Sequence, residues 1–315
     1  MRILITGLGG FIGRQLAKEH ISDEVHGLCR PGTIERDWDG LDATNRIHEC
    51  DMRVYESVRD VLKRVQPERI YHLAAKSNVG MSWQGPRDTY ETNILSQLHL
   101  LEAMRELKLK ARVLIAGSSE EYGLVKAHEN PITENTRLSP VSPYGVSKVT
   151  QDLMAHQYFW NYQLDVIRIR SFNQTGPGRS EAFVTSSFAR QVVLMENNKQ
   201  AKVMRVGNVE VVRDFMDIRD GVSAWKLLGD KAVAGEVYNI CSGEGILIMD
   251  LINMLKSLTS IEFEVKTDAG IHRPSDVPVL IGDNSKLRQC TGWEPKITLR
   301  ESMEDLLNYW RNKID

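Results

Sequence analysis

What the chain has little of narrows its chemistry first. Its 315 residues hold only four cysteines, Cys29, Cys50, Cys241 and Cys290, with no Cys-x-x-Cys spacing and no paired histidines beside them. That argues against a zinc-ribbon pattern or a disulfide framework and fits free thiols in a reducing compartment. Positive charge is not in excess either, since 40 Lys and Arg stand against 42 Asp and Glu. Neither nucleic acid nor an anionic membrane is therefore expected as a large partner. No apolar run approaches the roughly 18 residues of a transmembrane helix. The first residues read directly as a strand, so a secretory leader is not expected. Repeats, low-complexity segments and a linker are missing too. The composition is that of an ordinary globular protein, and the expectation is a soluble, cytoplasmic one with no metal site.

Within those limits, the first half alternates short apolar runs with helix patterns, the rhythm of a doubly wound parallel sheet. Strands are expected at Arg2–Thr6, Glu24–Leu28, Arg46–His48, Arg69–His72, Arg112–Ala116 and Leu164–Arg170. A long helix is expected from about Pro86 to Leu107. Its apolar set, which includes Tyr90, Ile94, Leu95, Leu98, Leu101 and Met104, is wider than one buried stripe. Such a helix has room for the sheet and for a second neighbour, a partner subunit being one candidate. After Arg170 the rhythm changes: the stretch from Phe172 to Arg179 is rich in Gly, Asn and Pro, and later elements are shorter. Thr298-Leu299-Arg300-Glu301 reads as a capping box that opens a C-terminal helix reaching about Trp310.

The chemistry-bearing residues begin at the first turn. Gly7-x-x-Gly10-x-x-Gly13 follows a strand and starts a helix, the context that makes a glycine pattern a dinucleotide site. Gly7 permits the tight turn, Gly10 lets a pyrophosphate approach backbone N–H groups, and Gly13 permits close helix–strand packing. Phe11 and Ile12 lie between them. The second strand ends Leu28-Cys29-Arg30, without the carboxylate that reads a ribose 2′-hydroxyl. A guanidinium there suits a 2′-phosphate, so NADP(H) is expected, with NAD(H) the alternative should Arg30 be merely solvated. Asp51 and Met52, just after the third strand, could bond and cover the adenine. His72-Leu73-Ala74-Ala75 ends the fourth strand with small residues where a cofactor would pass. The fold class is thus α/β, a Rossmann-type doubly wound parallel sheet with a smaller α/β lobe. Residues 1–170 form the dinucleotide lobe, a segment near 215–240 returns to it, and 171–315 form mainly the other.

Tyr144 and Lys148 are four apart in Ser142-Pro143-Tyr144-Gly145-Val146-Ser147-Lys148. On a helix they share one face, with Cβ atoms about 5–6 Å apart. An ammonium that close should favour the phenolate and bring Tyr144 toward neutral-pH acid–base work. Ser142 is a natural N-cap and Pro143 a natural first helical residue. Alone, the pair reads more simply as a solvated surface pair; the glycine-rich opening is what lifts it.

With these motifs on the page, the chain resembles the extended short-chain dehydrogenase/reductases that act on nucleotide sugars. The resemblance is carried by Thr6-Gly7 to Gly13, His72 to Ala75, Asn93, Gly117 to Gly123, Tyr144 with Lys148, Phe172 to Gly178, and Arg213-Asp214-Phe215. It implies a catalytic Ser118–Tyr144–Lys148 set with Asn93 near the cofactor, a homodimer built on paired helices, and a nucleotide-sugar lobe over 171–315. Four stretches, the last being Arg273-Pro274-Ser275-Asp276-Val277-Pro278, are most similar to members reducing GDP-4-keto-6-deoxy-D-mannose to GDP-D-rhamnose. GDP-mannose 4,6-dehydratases are the near alternative, then other nucleotide-sugar epimerases or dehydrogenases; a dinucleotide-sensing protein is remote. Gln174 stands where both usually carry histidine, and it cannot titrate. Glu120 occupies the position of a dehydratase glutamate, yet Ser118 stands where dehydratases typically have threonine. Arg213 and Arg273 align with diphosphate-binding arginines, although either could be a surface ion-pair member. Ser119, Asn173 and Val184 would line the GDP-sugar pocket.

Overall fold

The computed structural model describes residues 1–33, 46–268, 270 and 277–314. Seven strands form one parallel sheet: β1 (Arg2–Thr6), β2 (Glu24–Cys29), β3 (Ile47–Glu49), β4 (Arg69–His72), β5 (Arg112–Ser118), β6 (Val166–Ser171) and β10 (Val237–Ile240). Their order is β10-β6-β5-β4-β1-β2-β3, so the chain reverses direction across the sheet between β1 and β4. Ligands of such sheets bind outside the strand carboxyl ends at that reversal. The middle residues of β1, β4 and β5 are apolar without alternation because both faces are covered. Along β1, Ile3 and Ile5 enter one core layer while Leu4 enters the other, and Ile70 and Tyr71 of β4 divide in the same way.

The Pro86–Tyr90 and Ser96–Glu106 helices run into each other through a π-helical turn at Glu91–Leu95. Leu100, Leu101, Ala103 and Met104 bury one face in the core. The second surface is met by the Pro143–Tyr162 helix of the same chain, where Gln97 Nε2 donates to the Gln151 carbonyl at 2.7 Å. The over-wide apolar pattern is therefore explained largely within one chain. The Pro143–Tyr162 helix leaves apolar side chains exposed at Val146, Leu153 and Trp160, the last two 58% and 70% exposed.

After β6 the chain steps to a small sheet, in which β9 (Val212–Asp217) pairs with β7 (Asn173–Thr175), β11 (Gly245–Leu247) and β13 (Val279–Leu280). A pair of β8 (Val203–Val206) and β12 (Glu264–Thr267) adds to this region. Beneath lies a separate core that includes Phe188, Val192, Leu251, Met303 and Trp310. The C-terminal helix, Leu299–Ile314, opens with the reciprocal bonds of its capping box: Glu301 N–H to Thr298 Oγ1 at 3.2 Å, and Thr298 N–H to Glu301 Oε2 at 2.8 Å. None of the four cysteines is in a disulfide. Among the described residues no helix is long and apolar enough to cross a membrane, and no His/Cys/Asp/Glu group could hold a metal ion.

Candidate active site

A cleft of about 1320 Å³ opens along the carboxyl ends of the sheet. At its floor Gly7 takes a positive φ of 72°, and a Cβ there would sit 3.0 Å from the Ala74 backbone. A Cβ on Gly13 would lie 2.6–2.8 Å from Gly7 and Leu8 backbone atoms. The Phe11–Glu19 helix starts at Gly10 with no side-chain cap, so its first N–H groups open on the cleft that Gly10, Phe11, Ile12 and Gly13 line. This is the donor set a pyrophosphate requires. Thr6 Oγ1 accepts from Leu73 and Ala74 N–H, both at 3.1 Å, and meets His72 Nδ1 at 3.0 Å. These bonds place the small Leu73-Ala74-Ala75 wall against the glycine turn.

Arg30 lies exposed at the far end of the cleft with Met52, Asp51 and Arg53. Asp51, expected to bond the adenine, lines the cleft and also carries an ion pair. Its carboxylate is gripped by Arg53 through Nε at 3.0 Å and Nη2 at 2.8 Å, which holds its pKa below the usual value. Arg53 was not anticipated; the Asp-x-Arg spacing that lets Arg53 N–H also turn back on Asp51 was its only signal.

At the other end Ser118, Ser119, Glu120, Tyr144, Lys148 and Asn173 meet. Ser142 caps the Tyr144 helix by accepting from Gly145 N–H at 3.0 Å. Lys148 Nζ donates to the Ala116 carbonyl at 2.6 Å and lies 5.8 Å from the Tyr144 ring centre. The phenol is not brought toward neutrality. Burial pushes its pKa well above the ordinary value, against a hydrogen bond to Ser118 that acts the other way. The same dryness pushes Lys148 down to about 8, with Glu121 opposing. Desolvation outweighs the neighbouring ammonium because Lys148 is turned onto a strand carbonyl.

Other expected residues sit elsewhere. Asn93 is fully buried within the π turn and does not line the cleft. Its Oδ1 accepts from Lys76 N–H at 2.8 Å, and its Nδ2 donates to the Lys76 carbonyl and to Ser147 Oγ. It thus ties the cleft lip to the Tyr144 helix. Val184 packs against the core of the smaller lobe. Arg213 is buried at the β9 end, donating to the Val277 carbonyl at 2.7 Å, and is not part of the cleft lining. Arg273 lies outside the described residues. Asn173 and Gln174 do line the cleft, and both amide atoms of Gln174 are buried without a hydrogen-bond partner among the described residues.

Arg179 is the residue that reading the sequence missed. Its guanidinium lies 4.8 Å from the Phe11 ring centre and 3.5 Å from that of Phe183. It lines the cleft, Nε has no hydrogen-bond partner among the described residues, and burial pushes its pKa down to about 10. A desolvated cation without a paired carboxylate is relieved by an anionic ligand. Only its place at the end of the Gly/Pro-rich stretch hinted at this.

A glycine-floored dinucleotide cleft ending in a Ser, Tyr and Lys set defines a nicotinamide-dependent oxidoreductase of short-chain dehydrogenase/reductase type. Residues 4–306 match the GDP-mannose 4,6 dehydratase family, and the chain belongs to that family. It is 31% identical over 313 residues to the GDP-6-deoxy-D-mannose reductase of Pseudomonas aeruginosa, covering 99% of this chain and 98% of that protein. With the GDP-mannose 4,6-dehydratase of Vibrio cholerae serotype O1 it shares 28% identity, covering 96% and 92%. The solved structure of RMD from Pseudomonas aeruginosa complexed with NADPH superposes with a TM-score of 0.87 at 30% identity, covering 99% of both chains.

Proposed function

We propose that this protein reduces the 4-keto group of GDP-4-keto-6-deoxy-D-mannose with NADPH, giving GDP-D-rhamnose. The observation that carries this reading is the convergence of Ser118, Tyr144 and Lys148 at one end of a cleft whose other end is built for a dinucleotide. The end-to-end similarity to a reductase of comparable length supports it. Bound NADPH would supply the hydride for sugar C4. The rest falls to this chain. Ser118 orients the carbonyl. Tyr144, whose burial keeps the phenol protonated through neutral pH, delivers the proton to the forming alkoxide. Lys148 holds the ribose and carries the compensating charge. Residues 1–170 serve the dinucleotide, while 171–315, with Asn173 and the arginines Arg179 and Arg273, serve the nucleotide sugar.

The 4,6-dehydratase reading stays in play because Glu120 lines the same end of the cleft, where a C5 base would be needed. Two incubations separate the readings. Oxidation of NADPH only with the 4-keto sugar marks the reductase. A 4-keto product from GDP-mannose without added NADPH would replace that assignment with the dehydratase.

Arg30 is the candidate reader of the cofactor's 2′-phosphate. Arg30→Ala loses a charge-assisted bond of about 1.5–3 kcal/mol, so NADPH affinity should fall roughly 10- to 150-fold while NADH affinity hardly changes. Equal losses in a fluorescence titration would show that Arg30 does not read the phosphate.

A homodimer is part of the same reading, placed on the exposed Val146–Leu153–Trp160 stripe. These residues recur every seven along one helix and would be self-complementary across a two-fold axis. Sedimentation at micromolar concentration should give a dimer for the wild type and a monomer for Leu153→Glu. A monomeric wild type would reject the contact.

A further inference from the structure

Beneath the catalytic residues lies a buried charge network that, Lys148 apart, the proposed reaction does not use. Glu121, Arg170, Asp152 and Lys148 are respectively 0%, 4%, 4% and 3% exposed. Glu121 Oε1 accepts from Ser118 N–H at 2.7 Å, and its Oε2 lies 3.2 Å from Arg170 Nε. Arg170 Nη2 in turn donates to Asp152 at 2.5 Å. Asp152 sits one helical turn beyond Lys148, on the helix that also carries Tyr144, and is further paired with Arg168 at 3.1 Å. The end of β5 is thereby held at two points. Lys148 bonds the Ala116 carbonyl, Glu121 bonds the Ser118 N–H, and Gly117 lies between. A Cβ on Gly117 would stand 2.3 Å from Glu121 Oε1 and 2.6 Å from the Ile169 carbonyl. The glycine at 117 is thus required by the carboxylate that fills its side-chain space.

We infer that Glu121 is a positioning residue, which fixes Ser118 through its backbone N–H and keeps Lys148 charged by supplying the buried negative charge beside it. The inference rests on the reductase reading for its kinetic arm only. The groups at Lys148 are Glu121 from the end of β5, Tyr144 from its own helix and His72 from β4, with Arg170 of β6 pairing Glu121 and Asp152 behind them. Arg179 faces Tyr144, and the Glu134 carbonyl accepts from Arg170 at 3.0 Å. His72 is pushed down to about 3 by burial and then by Lys148, so it is neutral across the working range. The Tyr144 phenol and the Arg170 guanidinium both keep their protons there. Burial lowers Lys148 and Glu121 is the neighbour that raises it, so removing that charge lowers Lys148 further.

The test is Glu121→Gln, which keeps the shape and the acceptor for Ser118 N–H but drops the charge. The alkaline limb of kcat for keto-sugar-dependent NADPH oxidation should move down by about one pH unit, from a Lys148 value of about 8, so turnover at pH 8 falls roughly fivefold more than at pH 6. Competitive acetylation of Lys148 in the apo protein, followed by mass spectrometry across pH, should show the same downward move. Glu121→Asp retains the charge and shortens the reach to Ser118. It should keep the alkaline limb in place while lowering kcat evenly, and it serves alone if the Gln variant does not fold. An even loss at all pH values in Glu121→Gln, with an unmoved Lys148 labelling profile, would overturn the inference, as would Glu121→Asp shifting the limb. If the wild type oxidises no NADPH with the keto sugar, the reductase reading fails while the labelling arm still decides this one.

Discussion

Tyr144→Phe should lower kcat for the keto sugar by roughly 10²–10⁴, the usual worth of a positioned acid–base group. The removed hydroxyl lies in a dry pocket beside Ser118, with Lys148 one turn along the helix, and no other described phenol lines the cleft. Burial raises the phenol's pKa, which suits a donor: the proton stays on oxygen until the forming alkoxide draws it away. Cofactor affinity should be nearly unchanged, because the glycine turn and the Phe11–Glu19 helix start are untouched. Stopped-flow or steady-state turnover, together with NADPH binding by fluorescence, separates the two effects. Retention of more than a tenth of wild-type turnover would remove Tyr144 from the proton-donor role.

The second large effect is on stability. Arg170→Met takes away the guanidinium shared by Glu121 and Asp152 and leaves Glu121 as a buried carboxylate facing Asp152. Breaking a buried pair from one side costs about 3–5 kcal/mol. The pH dependence has a definite sign. Burial first, and Asp152 second, already raise the Glu121 pKa above its unfolded value, while Arg170 opposes them. Without Arg170 the folded value rises further. A carboxyl raised on folding favours the folded state at low pH, and that advantage is lost as pH rises through the folded value. The deficit of the variant should therefore be full at pH 8 and shrink toward pH 5. Urea unfolding at both pH values reads it directly. A deficit under about 1 kcal/mol at pH 8, or one that grows on acidification, would mean that the pair does not hold the fold in this way.

The two conformational claims that local sequence could make are both visible in the coordinates. The glycine turn into a helix is dictated by backbone sterics at Gly7 and Gly13. The Ser142-Pro143 start of the Tyr144 helix is dictated by one cap bond and one fixed φ. Capping and turn chemistry are decided within four residues, so a single segment carries the information. The parallel sheet was legible for a related reason, since strands covered on both faces are apolar at successive positions, as at Ile3–Ile5, Ile70–Tyr71 and Val113–Ile115.

What tertiary structure alone decided concerns partners distant in the chain. The wide apolar face of the Pro86–Glu106 region meets a helix some 50 residues on, because Gln97 and Gln151 come together only in the fold. Asn93 is bonded to Lys76 and to Ser147, 17 and 54 residues away in the chain. The sign of the Tyr144 shift could not be read from a Tyr-x-x-x-Lys spacing. Spacing states how near the ammonium is, while desolvation depends on every residue that excludes water from the site. Arg179 and Glu121 escaped for that same reason. Each is an ordinary charged residue in the chain, and each acquires its chemistry from being buried beside groups that the sheet and its return strand bring in from elsewhere.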